Sequence, residues 1–400
     1  MDKYLYWLDR IEGLGPLAKK NLIDAYGDAE NIFRASEKHL KFILDEKKLK
    51  LLLDAKEMVE MEDAFEELKR KKIHMVCYHE DGYPEKLIHI PDPPFAMYYV
   101  GKLPQNELPA VAVIGARECS AYGEYIASEL GKVLGQHGIQ VISGMARGID
   151  GISQSAALNA GGVSFGVLGC GVDVCYPKSN RALYDELLVE GGIISTYPPG
   201  TKPQAKLFPP RNRIVSGLAD VLVVIEARQR SGTSITVEMA LEQGREIYAV
   251  PGRVTDRLSD GCNKLIKEGA HVFLSPEDFV MDLQEHLPMQ MNALYKGRLE
   301  HSGEKNLCKQ YSLFEDDLGN DNTLQKTGKD TLTAQIFDVI DFYPQSIDEI
   351  LKKMNSKFTG DFSQEEVLSK LMQLCLLGQI KQDSSSWFSK RLSEKVISPN

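Results

Sequence analysis

The sequence predicts an α/β protein: a Rossmann-like, doubly wound, mostly parallel sheet core. An N-terminal helical module (SAM/helix-hairpin-helix-like) precedes the core and a C-terminal winged-helix-like module follows it. Three observations carry this. Seven short apolar runs lie between Ala110 and about Phe279: VAVIG (111–115), QVISG (140–144), SFGVLG (164–169), GIISTY (192–197), DVLVVIEA (220–227), REIYAV (245–250) and AHVFL (270–274). Several are apolar almost throughout, as strands covered on both faces must be. Helix-like segments alternate with them, and strand–helix alternation implies a parallel sheet. At 400 residues the chain exceeds one ordinary core, so further domains are expected.

Residues 1–70 read as helical. In IEGLGPLAKKNLIDAYG, Ile11, Leu14, Leu17, Leu22 and Ile23 surround a Gly-x-Gly. This resembles a helix-hairpin-helix, whose glycine turn lets a helix N-terminus approach a phosphate. A packing turn in a small bundle is the other reading, and it carries more weight because a short glycine turn is a weak signal. Residues 71–108 look extended and proline-broken, a connection to the core. The core itself is expected over 109–288. Within it YIASELGKVL places Ile126, Leu130 and Leu134 on one helix face. The polar, aperiodic stretch within 289–330 reads as a linker. Over 331–395 a helical periodicity returns, and Gly378 leads into two short strand candidates, QIKQ and SWFS. Helices followed by a small hairpin fit a winged helix.

Composition narrows the class. Hydrophobic content of 43% with 26% charged residues fits a soluble globular chain. No signal peptide or bilayer-length apolar run is read, and the seven cysteines are scattered. The closest pair, Cys170 and Cys175, lacks the partners of a zinc site. A reduced, cytoplasmic protein without metal or cofactor is expected. The net charge of −10 argues against a nucleic-acid binder when taken alone. Binding depends on a local patch, however. Between Glu190 and Asp220 there is no acid, while Lys202, Lys206, Arg211 and Arg213 all lie there.

In an open parallel sheet, ligands gather at the carboxyl ends of the strands. Three strands here end in glycine. Gly115 is followed by Arg117 and by Ser120, a candidate N-cap. Ser143 and Gly144 lead to Arg147 and Gly148, after which Ile149 and Asp150 open a helix whose free amides would attract an anion. Gly169 and Gly171 flank Cys170, with Lys178 beyond. Ser231 and Gly232 form a further anion-type turn, and Arg211, Asn212 and Arg213 begin a short helix. The two arginines either reach the strand ends or form buried ion pairs with Asp173 or Glu226. None of these turns is a GxGxxG or a GxxxxGK[ST], so a dinucleotide is poorly supported. A cation stands beside each glycine turn, and guanidinium matches phosphodiester oxygens two at a time. Several pockets in a row suit a strand of repeating phosphates, with Tyr176, Tyr197 and Phe208 as candidate stacking partners. Asp150 and Asp173 are weaker candidates as catalytic carboxylates.

The motifs VAVIGAR, SGMARGID, GVLGCGVDVCYP, FPPRNRIVSGLADVLVVIEA, SGTSIT, GREIYAVPG and the later S.G.N.LI..GA resemble, in order, the DNA-processing protein A family, DprA or Smf. The resemblance covers nearly all of residues 75–275. It implies a non-enzymatic cytoplasmic protein that binds incoming single-stranded DNA during natural transformation. It also implies a core that forms a homodimer and delivery of the RecA recombinase onto the strand. By motif, it turns Arg117, Arg147, Gly148, Lys178, Arg211 and Arg213 toward DNA. The chain departs from the family at Gln154, where His is frequent, at Thr196, where Glu is frequent, and at Val237–Glu238, where Ala-Arg is frequent. The rival is an enzyme, a nucleotide-derivative hydrolase on a related fold. Its PGGxGTxxE turn is only partly matched by RQRSGTSITVE.

Overall fold

The computed structural model describes residues 2–57, 61–229, 231–302, 331–340, 345–358, 362–376, 380–384 and 387–390. The chain divides into two compact units, Met1–Cys119 with Ile126–His301, and Ser120–Tyr125 with Ser302–Asn400.

The first unit opens with six helices: α1 (Lys3–Arg10), α2 (Pro16–Tyr26), α3 (Ala29–Arg34), α4 (Glu37–Leu40), α5 (Glu46–Lys56) and α6 (Met61–Arg70). Asp2, Asp28 and Asp45 accept backbone amides at the starts of α1, α3 and α5, the usual use of a short acidic side chain at an N-cap. The glycine turn is real: Gly13 has φ +81°, and Gly15 precedes Pro16 at the first position of α2. These helices share one hydrophobic core with a face of the sheet, Leu8, Leu22 and Leu52 joining Met75, Tyr98 and Ile193. The Tyr98 hydroxyl donates to Asp9 at 2.5 Å, and buried Lys19 pairs with the same carboxylate.

The sheet has nine strands: β1 (His74–Cys77), β2 (Ala96–Gly101), β3 (Ala110–Ile114), β4 (Gln140–Ser143), β5 (Ser164–Val167), β6 (Gly192–Ser195), β7 (Val221–Val224), β8 (Glu246–Ala249) and β9 (His271–Val272). Their order is β1-β2-β6-β5-β4-β3-β7-β8-β9. All seven expected apolar runs form strands, β3 to β9, and every pairing from β6 through β9 is parallel. The expected extended connection instead supplies the antiparallel edge, β1 and β2, with α7 (Glu85–Ile88) between them. Its prolines, Pro84, Pro91, Pro93, Pro94 and Pro104, all fall outside β1 and β2, where they remove no ladder hydrogen bond.

Strands β3 to β6 step one way across the sheet. The chain then returns past β3 and continues through β7 to β9, so the order reverses between β3 and β7. The crossovers are α8 (Ala121–His137), α9 (Ile149–Asn159), α10 (Arg181–Glu190), α11 (Phe208–Gly217), α12 (Gly232–Glu242) and α13 (Asp260–Lys267), followed by α14 (Pro276–His286) and α15 (Pro288–Ser302). All residues of β3 through β7 are buried, as two covered faces require. The expected linker from residue 289 begins too early, because α15 runs to Ser302; its mixed composition hides it from a periodicity search. The rest of that stretch, 303–330, lies outside the described residues.

The second unit contains helices Thr331–Val339, Ile347–Lys357 and Gln364–Leu376 and a three-stranded antiparallel sheet of Gln345–Ser346, Trp387–Lys390 and Ile380–Ser384. Ile336, Ile350, Leu371, Ile380 and Phe388 form its core. Ser346 and Glu349 make a capping box. Ser385 and Ser386, and residues 391–395, lie outside the described residues.

Candidate functional site

The point where strand order reverses is the natural crevice of a doubly wound sheet. A crevice of about 650 Å³ opens there, between the ends of β3 and β7. Gly115, Ala116 and Arg117 form one wall, Arg228, Ser231, Gly232 and Thr233 another, and Phe208, Arg211 and Asn212 of α11 a third. A smaller hollow of about 170 Å³ adjoins it over β4 and β5, lined by Arg117, Arg147, Gly169, Tyr176, Ser179 and Phe208. Arg117, Gly144, Ala146, Tyr176, Phe208 and Arg211 line both.

The turn after β4 is built differently from the expectation. The Asp150 carboxylate turns back and accepts the amide of Gly144 at 3.1 Å and that of Ala146. The first amide of α9, Ile149 N, donates to Ala116 O at 3.2 Å. The amides of Gly144, Ala146 and Ile149 are therefore occupied by the protein's own carboxylate and carbonyl. Asp150 is neither a simple cap nor placed for proton transfer at the surface. Burial pushes its carboxyl above the usual carboxylate range, with Arg211 as the leading opposing charge. Burial likewise draws the Arg211 guanidinium down, opposed first by Asp150.

Arg211 is 5% exposed and donates through Nη1 to Gly144 O at 2.7 Å and to Val167 O. Its Nε donates to Asn212 Oδ1 at 3.2 Å. Gly144 sits between the two charges: a Cβ there would lie 2.6 Å from Arg211 Nη1 and 2.8 Å from Asp150 Oδ2. Arg211 thus ties the ends of β4 and β5 together. The leading opposite charge on Arg211 is Asp150, not the expected Asp173, which instead pairs with Lys71 and accepts Gly200 N. Arg213 is a correction of another kind. Two helical steps rotate it about 200° from Arg211, and it faces Asp92 at 3.0 Å.

The remaining expected residues divide clearly. Arg117, Arg147 and Lys178 are exposed, the first two lining the smaller hollow. Ser120 accepts the Gly123 amide at 3.2 Å as the cap of α8. Ser143 is fully buried and donates to Val113 O at 2.6 Å, so no ligand reaches its hydroxyl. Gly115 is needed for packing, since a Cβ there would press within 3.0 Å of Ile149. Gly148, at φ +75°, lets its backbone touch the Ala116–Arg117 turn. Gly169 lies against the Phe208 ring, and Gly171 spends its amide on Thr201 O. Between them Cys170 is buried, its thiol pushed up to about 11 by that burial. Ser231 carries a buried hydroxyl without a hydrogen-bond partner, and the space in front of Gly232 is open.

Tyr176 and Phe208 stand together, ring centroids 5.5 Å apart, with Tyr176 43% exposed. The Tyr197 hydroxyl donates to Leu207 O, so that ring is fixed beside the chain. Gln154 is fully buried and joins α9 to β5 through Ser164 and Phe165. Sequence reasoning missed Asn180, whose amide donates to Met145 O and Ala146 O across the site. No sequence pattern marks it; in the structure the turn it holds stands out through Met145, a non-glycine residue at φ +55°. Among the described residues no cluster could hold a metal ion, all six cysteines are free, and no helix is long and apolar enough to cross a membrane.

The fold and site define a class: doubly wound α/β proteins whose carboxyl crest bears arginine turns around a switch-point crevice. Within that class the chain belongs to the DNA recombination-mediator protein A family, whose model matches residues 74–284. It is 42% identical over 207 residues to the DNA processing protein DprA of Streptococcus pneumoniae, covering 51% of this chain and 72% of that protein. It is 32% identical over 286 residues to protein Smf of Synechocystis, covering 70% of this chain and 72% of the relative. The X-ray structure of the S. pneumoniae protein superposes with a TM-score of 0.62 at 34% identity, over 70% of this chain and 98% of that one.

Proposed function

We propose that the crest of the sheet binds single-stranded DNA and that the chain is a recombination mediator without catalytic activity. The observation that carries this is the pairing of exposed Arg117 and Arg147 over one hollow, on turns tied to each other by the Asp150 carboxylate and the Ala116 carbonyl. Two exposed guanidinium groups can each take a phosphate. Lys178 extends the row, and Tyr176 with Phe208 offers a face for an unstacked base. Gly115, Gly144, Gly148, Gly169, Gly171, Arg211 and Ser143 act beneath the surface as the frame. Asn212, Ser231 and Gly232 line the crevice beyond.

From the family resemblance we take the further roles: a cytoplasmic homodimer that protects incoming DNA in transformation and loads a RecA-type recombinase. The domain limits proposed are a SAM/helix-hairpin-helix-like bundle over 1–70, the core over 109–288 and a winged-helix-like unit over 331–395. The test is binding of fluorescent single- and double-stranded oligonucleotides across a salt series. Tight single-strand binding that weakens as salt rises is expected, because each phosphate contact releases counterions. Equal affinity for duplex, or binding indifferent to salt, contradicts the proposal. Turnover of nucleoside monophosphates would favour the hydrolase reading instead.

A further inference from the structure

Arg147 projects from a turn that has little reason to hold still. The residue two before it, Met145, is in the left-handed region at φ +55°, where a side chain other than glycine is disfavoured. Such a conformation persists only when its surroundings hold it. Besides Gly151 N, which donates to Ala146 O at 3.0 Å, two holds lie within the structure already described: Asp150 takes the amides of Gly144 and Ala146, and Arg211 takes the carbonyl of Gly144.

A further hold comes from a different strand. Asn180 closes the loop after β5, two residues past Lys178. Its Nδ2 donates to Met145 O at 3.1 Å and to Ala146 O at 3.0 Å. Its Oδ1 accepts the Ser179 hydroxyl at 3.1 Å, and its backbone amide donates to Pro177 O at 3.1 Å. The approach is close enough that a Cβ on Gly151 would lie 3.0 Å from Asn180 Nδ2. Asn180 is partly exposed and adds no charge, so it brings nothing of its own to a phosphate beyond one amide already spent. What it does is fix the loop bearing Lys178 to the turn bearing Arg147.

We propose that Asn180 is a positioning residue for the DNA site: by holding the carbonyls of Met145 and Ala146 it fixes Arg147 at a set spacing from Lys178, so that both meet successive phosphates. This inference rests on the DNA-binding reading of the crest. Asn180→Ala removes both donors, and Asn180→Asp keeps the shape but sets a carboxylate against two carbonyls. In the full chain, Asn180→Ala is expected to weaken binding of a fluorescent single-stranded oligonucleotide about tenfold. The slope of log affinity against log salt should flatten by about 0.7, the share of one single-strand phosphate contact. Asn180→Asp should do at least as much.

The decisive arm is coupling. In an Arg147→Ala background, Asn180→Ala should cost almost nothing further, because the residue it positions is gone. Losses that add in the double variant, or an unchanged salt slope in Asn180→Ala, overturn the proposal and leave Asn180 a structural residue only. Asn180→Ser, which keeps one donor, serves if the alanine variant fails to fold, with an intermediate loss expected and full affinity contradicting the idea. If Arg147→Ala itself leaves affinity unchanged, the DNA-site reading fails first. If Arg147→Ala weakens binding and Asn180→Ala does not, only this inference fails.

Discussion

Replacing Arg211 by Met keeps much of the side chain's bulk and removes its charge and its donors. The structure gives the consequence. Asp150, buried beside Gly144, loses its leading opposing cation. The carbonyls of Gly144 and Val167 lose a donor. Each orphaned carbonyl costs ~1–3 kcal/mol, and the buried Asp150 charge is left without its leading opposing cation. These terms share one small volume and do not add, so ~4 kcal/mol is the working figure, within the range of severe single substitutions. At 2–4 °C per kcal/mol for a unit of this size, the melting temperature should fall by roughly 10 °C. The deficit also has a predicted pH dependence. Burial raises Asp150 above its unfolded value, so the folded chain binds more protons than the unfolded one between the two values. Ionised Asp150 therefore costs stability as pH rises from about 4, the unfolded carboxylate value. Arg211 opposes this cost, and without it the folded value rises further. The difference in melting temperature between wild type and variant should be smaller at pH 5 than at pH 8, read by scanning calorimetry. A difference that is constant, or larger at pH 5, refutes Asp150 as the charge that Arg211 compensates.

Gly148→Ala should destabilise the core unit by ~3 kcal/mol, because φ +75° is strained for alanine and its Cβ would come within 2.7 Å of Arg117 O; the midpoint of urea unfolding reads it. Arg213→Ala should leave single-strand affinity within about twofold and stability within ~1 kcal/mol, since its partner Asp92 is 70% exposed. A loss of affinity comparable to that of Arg147→Ala would return Arg213 to the binding face.

Strands β3 to β9 were legible because both faces of the sheet are covered, leaving unbroken apolar runs such as VLVV of β7. The glycine-ended strands likewise marked the crest correctly. Strands β1 and β2 were not legible: β1 opens on the exposed, polar His74, and three prolines follow α7 before β2 begins. The site was half legible. Arg117 and Arg147 sit beside tight turns, and a short exposed turn leaves a long cation few places to go but solvent. Arg211 looked equivalent to Arg213, yet helical phase separates them, and only the fold shows which faces the core. Asp150 was the deepest surprise. A carboxylate in the first turn of a helix ordinarily faces outward toward the amides beside it, and nothing in SGMARGID says that it folds back to fill the loop it follows. Asn180 acts over 34 residues of sequence on Ala146, a contact no local pattern encodes.

The most direct measurement is the single-strand affinity of an Arg117→Ala, Arg147→Ala double variant, taken through the same salt series as the wild-type chain, with Arg213→Ala as the folded control. Two lost phosphate contacts should flatten the salt slope by about 1.4 and weaken binding roughly a hundredfold at moderate salt, the melting temperature staying near that of the wild type. Wild-type affinity and slope in the folded double variant would place the strand somewhere other than the crest of the sheet.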